Sequence, residues 1–243
     1  MPDTLTNSAP ILRPLPVLAA MLCLAATQGA PPKIGEWQSL FDGKSLRGWR
    51  ETPFTGRGQA RVENGTIVLG SGKPMTGVTW TGSFPRANYE VRFEGARLEG
   101  SDFFASMTFP VQDSFCTWVT GGWGGDIVGL SSLDGWDASE NETRSYFDFE
   151  KGRWYVLRLR VTDDRITAWI DDERIADVVI TGRSVGLRFG EIELSAPFGF
   201  ASYATAGGLR KIEYRLLQPP AEGVTVARPY PFRVQLGRYS RLR

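Results

Sequence analysis

The chain has 243 residues, 42% of them hydrophobic, with 28 lysines and arginines against 27 aspartates and glutamates. That length allows one large domain or two small ones, and the even charge gives no reason to expect nucleic acid or an anionic membrane as partner. The absence of histidine excludes Ser-His-Asp and Cys-His catalysis and any zinc site built on imidazole, so acid-base work falls to Asp, Glu, Lys or Tyr.

Residues 17–26, VLAAMLCLAA, form an apolar run preceded by Arg13 and followed by the small-residue stretch TQGA. The run is well short of the about 18 residues a membrane helix needs and has the layout of a secretory signal. Residues 1–30 are therefore expected to direct export to a secreted or periplasmic location, with no membrane span after processing. Loss of that segment removes Cys23 and leaves Cys116 without an intrachain partner. Cys116 is read as a small buried hydrophobe rather than half of a disulfide.

From Glu36 the apolar residues recur with period two, the pattern of half-buried strands. In ANYEVRFEGARL, Tyr89, Val91 and Phe93 share one face, and Asn88, Glu90, Arg92 and Glu94 the other. The stretch Gly121–Thr143, GGWGGDIVGLSSLDGWDASENET, breaks the alternation with glycines, tryptophans and acids. Beyond it, Tyr155, Leu157, Leu159 and Val161 alternate again, Asp163-Asp164 supplies a turn, and Ile166, Ala168 and Ile170 return before the DDER turn. Near the end Ile212, Tyr214 and Leu216 alternate with Lys211, Glu213 and Arg215. No segment sustains a helical period. Many short strands with turns between them predict an all-β fold, a two-sheet antiparallel jelly-roll sandwich, over residues 31–218. Residues 219–243 are rich in Pro and Arg and read as a solvated C-terminal extension.

Four stretches together resemble a known family: SLFDGKSLRGW (Ser39–Trp49), VENGTIVLG (Val62–Gly70), NYEVRFEGARLEGSDFF (Asn88–Phe104) and the Trp-led hairpin GRWYVLRLRVTDDRITAWIDDERIADV (Gly152–Val178). They look like the 3-keto-disaccharide hydrolase domain, which is built on the concanavalin A-like jelly roll. The resemblance runs from about Trp37 to Leu217 and implies an exported, carbohydrate-active protein that cleaves glycosides oxidised to a ketone at C3. Many members carry a Glu-x-Gln string on the strand after the long one. Here that region reads SFCTWVTGGWGG, with Thr117, Trp118 and Val119 near the expected position and no carboxylate among them.

A C3 ketone acidifies the C2 proton, so a base removes it, the C1 oxygen leaves with help from an acid, and water adds back. The carboxylates crowded into and beside the Gly/Trp loop are the natural candidates, with Asp126, Asp134, Asp137 and Glu140 as the expected catalytic set and Glu142 and Lys151 nearby. Crowding is expected to raise one carboxyl's pKa and keep it protonated as an acid. Asp134-Gly135 is equally a turn dipeptide. Indole stacks on the C–H face of a sugar, so Trp118, Trp123 and Trp136, with Asp102 at the start of GSDFF, are the expected carbohydrate contacts. The sequence points to no definite cofactor, and an Asp/Glu cluster also suits a divalent metal such as calcium. A lectin-like module that binds sugar without cleaving it uses the same tryptophans and is the alternative.

Overall fold

A computed structural model describes residues 33–217; the expected leader, Cys23 and the extension from 219 lie outside the described residues. The chain opens with β1 (Gln38–Ser39), β2 (Trp49–Glu51), β3 (Ala60–Glu63), β4 (Thr66–Leu69) and β5 (Met75–Trp80). The middle holds β6 (Tyr89–Glu99), β7 (Ser106–Val111), β8 (Ser114–Gly122), β9 (Ile127–Ser131) and β10 (Ser145–Tyr146). After these come β11 (Trp154–Val161), β12 (Arg165–Ile170), β13 (Glu173–Val179), a 3₁₀ turn (Glu191–Ser195), β14 (Gly199–Tyr203) and β15 (Ala206–Leu216).

The strands make two antiparallel sheets. One is eight-stranded, in the order β13-β12-β11-β6-β15-β4-β3 with β1 added to β15; the other is seven-stranded, β10-β9-β8-β7-β14-β5-β2. Alternation decides which face is buried. Tyr89, Val91 and Phe93 of β6, with Tyr155, Leu157 and Leu159 of β11, meet Met107, Phe109, Trp118 and Phe200 of the other sheet in one shared core. Phe84 and Phe198 stack in it with centroids 4.0 Å apart. Cys116 is fully buried, and burial pushes its thiol up to about 12. Among the described residues no helix is long and apolar enough to cross a membrane.

The outer face of the eight-stranded sheet is a lattice of charges and indoles. Glu90, on the polar face of β6, has no exposed surface and accepts from Arg158, Arg160 and Arg215 at 3.2, 3.2 and 3.0 Å. Burial alone would raise its carboxyl, yet those hydrogen bonds and the Arg160 charge hold it below the ordinary value. Arg158 in turn lies 3.9 Å over the Trp169 ring, as Arg210 does over Trp154.

The outer face of the seven-stranded sheet is built differently. Thr79, Gly199, Thr108, Thr117 and Ser131 stand opposite one another in a single row across five strands. Their small size lets another segment lie close. At Gly199 an added Cβ would come within 2.6 Å of the Ser195 carbonyl. The segment that uses this room, residues 181–198, crosses the face as a strap.

Candidate functional site

Between the strap and the sheet lies a cavity of about 430 Å³, within the range of small-molecule sites. Ser106 of β7, Thr117 and Val119 of β8 and Ser131 of β9 form its floor, and Met75 of β5 and Tyr203 of β14 continue it. The strap supplies Arg188, Phe189, Glu191 and Ile192, while Asp102, Phe103 and Trp123 close the rim.

Each polar group is held by its neighbours. The Asp102 oxygens accept the backbone N–H groups of Phe103 and Gly124 at 2.8 and 3.2 Å. Both Glu191 oxygens lie 3.1 Å from the Thr55 nitrogen, which ties the strap to the far side of the sheet. Arg188 pairs with Asp137 at 3.2 Å, and Asp137 also accepts from Ser131 Oγ at 3.1 Å. Ser106 Oγ accepts the Thr120 N–H and keeps its own proton to offer.

At the other end, the strap is fastened through the acidic loop. Ser132 and Gly186 exchange backbone hydrogen bonds of 2.8 and 3.1 Å, and Ser184 gives its N–H to Asp134 at 2.8 Å. Arg183 bridges Asp134 at 2.7 Å and also pairs with Glu142. Crowded acids were expected to raise one another, and the structure corrects that. The Ser184 N–H and the Arg183 guanidinium hold the Asp134 carboxyl below its usual range, and Arg183 does the same for Glu142. A depressed carboxyl stabilises its contacts above the unfolded value and loses that effect as pH falls through the folded value. We therefore expect the protection factors of amides in residues 181–190, taken relative to intrinsic exchange at each pH, to fall as the pH falls through the carboxylate range. In Arg183→Gln that protection should already be low at neutral pH and change much less with acid.

The sequence candidates thus separate. Asp102 and Trp123 line the cavity, and Asp137 reaches it through Arg188 and Ser131. Asp126, Asp134 and Glu140 are exposed and do not line it; Asp134 forms the Asp-Gly turn, with Asp134 and Gly135 at φ 52 and 83 and Leu133 and Trp136 exchanging backbone hydrogen bonds. Trp136 is 59% exposed but lies off the cavity. Trp118 requires correction: it is fully buried between Met107 and Leu130, because Thr117 and Val119 take the outward positions of β8. Among the described residues no group of three or more His, Cys, Asp or Glu is placed to hold a metal ion.

The glycines of the loop answer to the protein rather than to a ligand. The buried Arg97 guanidinium donates to the carbonyls of Gly125 at 2.5 Å and Phe149 at 3.3 Å, and a side chain at Gly121 would collide with it. The loop wraps this cation and delivers Trp123 to the cavity at φ 51, a strained setting for so bulky a residue. Arg188, Glu191 and Ile192 carried no signal of their own, since GRSVGLRFGEIELSAP has neither period nor motif.

Residues 36–196 match the family model described as the 3-keto-alpha-glucoside-1,2-lyase-like domain. Among solved structures, the apo Crh5 transglycosylase superposes with a TM-score of 0.50 and 13% identity, over 79% of this chain and 90% of that one. A Bacillus subtilis protein of unknown function with a galectin-like fold superposes with a TM-score of 0.52 and 9% identity, over 70% and 90%. At such identities the likeness is one of fold, the jelly-roll sandwich. No curated protein matches the chain.

Proposed function

The chain belongs to the 3-keto-alpha-glucoside-1,2-lyase-like domain family, and on that premise we propose that it binds a 3-keto-glycoside under the strap and cleaves it. The observation that carries this reading is one cavity combining two carboxylates, Asp102 and Glu191, with the cation Arg188 and the indole of Trp123. Elimination needs those parts. A base takes the C2 proton, and the electron pair builds an enolate on the C3 oxygen. Its collapse restores the ketone, forms the C1–C2 double bond and breaks the C1–O bond. An acid protonates the departing oxygen, and water adding across the double bond completes a hydrolysis. Asp102 and Glu191 share the two proton transfers, Arg188 faces the enolate oxygen, and Asp137 positions Arg188. Thr117 and Ser131 serve the sugar hydroxyls, and Trp123 its C–H face. The apolar run at 17–26 supports a secreted or periplasmic setting for this activity.

A second reading, sugar binding without cleavage, is favoured by the floor itself. Where relatives carry Glu-x-Gln, the outward positions here are Thr117 and Val119. Incubating the protein with 3-keto-trehalose and following free glucose separates the two. Release is the expected result. Binding without release, abolished in Trp123→Ala, would make the protein a lectin-like module, and neither binding nor release would defeat both readings.

A further inference from the structure

We propose that the group leaving from C1 is apolar, a cycloalkyl or aryl aglycone, rather than a second sugar; this rests on the reading of the cavity as a 3-keto-glycoside site. The two ends of the cavity differ in chemistry. At the β8–β9 end Thr117 and Ser131 stand opposite each other in register, and Ser131 leads through Asp137 to Arg188. At the β5–β14 end the register partners are Met75 and Tyr203. Phe103 lies against the Tyr203 ring with centroids 5.6 Å apart. Ile192 and Phe103 pack there on the small apolar cluster of Phe54, Met75 and Ala201.

Those ends lie two to four strand spacings apart across the sheet, roughly 10–19 Å, with a further offset along the strands. Two joined rings therefore span the cavity, one at each end. The keto-sugar belongs at the polar end, where hydroxyls and Arg188 meet its oxygens. A second sugar would carry its ring of hydroxyls against Met75, Phe103, Ile192 and Tyr203, and burying unpaired hydroxyls is unfavourable. The carboxylates nearest that end, Asp102 beside Phe103 and Glu191 beside Ile192, are the pair assigned to the proton transfers. A saturated or aromatic ring meets none of these objections and buries its surface there.

The test compares cyclohexyl 3-keto-α-glucoside with 3-keto-trehalose. The hemiacetal oxygen that leaves from trehalose is the more acidic of the two, so leaving-group acidity favours trehalose and a preference for the cyclohexyl compound must come from aglycone fit. We expect kcat/KM to favour the cyclohexyl compound about 10- to 100-fold, the gain from burying one hydrocarbon ring. Ile192→Asn and Tyr203→Ser, each shown by its melting curve to be folded, should both shrink that ratio toward one. Preference for 3-keto-trehalose, or a ratio that neither variant moves, overturns the proposal while leaving the cleavage reading intact. If neither compound is turned over, the cleavage reading falls, and the ranking of the two Kd values decides the aglycone proposal in its place.

Discussion

Asp102→Asn and Glu191→Gln are each expected to lower kcat/KM on a 3-keto-glycoside by about 10²–10⁴-fold, the usual contribution of a positioned acid or base. Both changes preserve shape. The amide oxygen of Asn can still accept the Phe103 N–H that Asp102 now receives at 2.8 Å, losing only the exposed 3.2 Å contact from the Gly124 N–H, and Gln can still accept from Thr55. Thermal stability should therefore change little, and the loss should lie in kcat. The two roles can be told apart by leaving group. The variant lacking the acid should recover most of its rate on a 2,4-dinitrophenyl glycoside, whose oxygen needs no proton. The variant lacking the base should not recover, and should also stop exchanging the C2 proton with deuterated water. Near wild-type rates in both would remove this pair from the chemistry. Losses confined to Asp126, Asp134 or Glu140 variants would return the machinery to the exposed acidic loop.

The largest expected effect on stability comes from the opposite sheet. Glu90→Gln should destabilise the fold by about 1–3 kcal/mol, because it removes a buried anion and leaves three guanidinium groups, each about a third exposed, without it. For a domain of this size that is a fall of roughly 2–12 °C in Tm. Glu213 supplies the contrast. It pairs with Arg92 alone at 2.7 Å and its side chain keeps 28% exposure, so Glu213→Gln should cost under about 1 kcal/mol. The pH dependence has a definite sign. The Glu90 carboxyl sits below its ordinary value, so its stabilisation is present above the unfolded carboxylate value and fades as the pH falls through the folded one. Wild-type Tm should drop more steeply on acidification than that of Glu90→Gln. Equal losses for the two substitutions, or parallel acid profiles, would mean that the triple-arginine cluster is not a keystone of this sheet.

Much of the fold was legible because period-two alternation is a local signal. Tyr89, Val91 and Phe93 declare a buried face within five residues, and the Asp163-Asp164 turn between two such runs declares a hairpin. Glu90 broke the pattern because its burial depends on arginines from β11 and β15, far away in the chain. The stretch Phe115–Val119 misled for another reason. Both of its faces carry apolar residues, so alternation could not say which one turns inward, and Trp118 was expected at a surface it does not reach. Composition singled out the acidic loop, but composition could not see Arg183 arriving from some fifty positions away to hold Asp134 and Glu142. The strap itself had no local signature. Its place follows from a few backbone pairings, Ser132 with Gly186 and Asp134 with Ser184, and from a row of small side chains on five separate strands.

The central claim is that the sugar sits beneath the strap. A crystal structure of Glu191→Gln soaked with methyl 3-keto-α-glucoside tests it most directly. The expected result is a pyranose ring over Thr117 and Ser131, its C–H face on Trp123 and its C3 oxygen toward Arg188. A ring bound instead on the exposed Trp136 and its acidic loop, with the space under the strap unfilled, would contradict it.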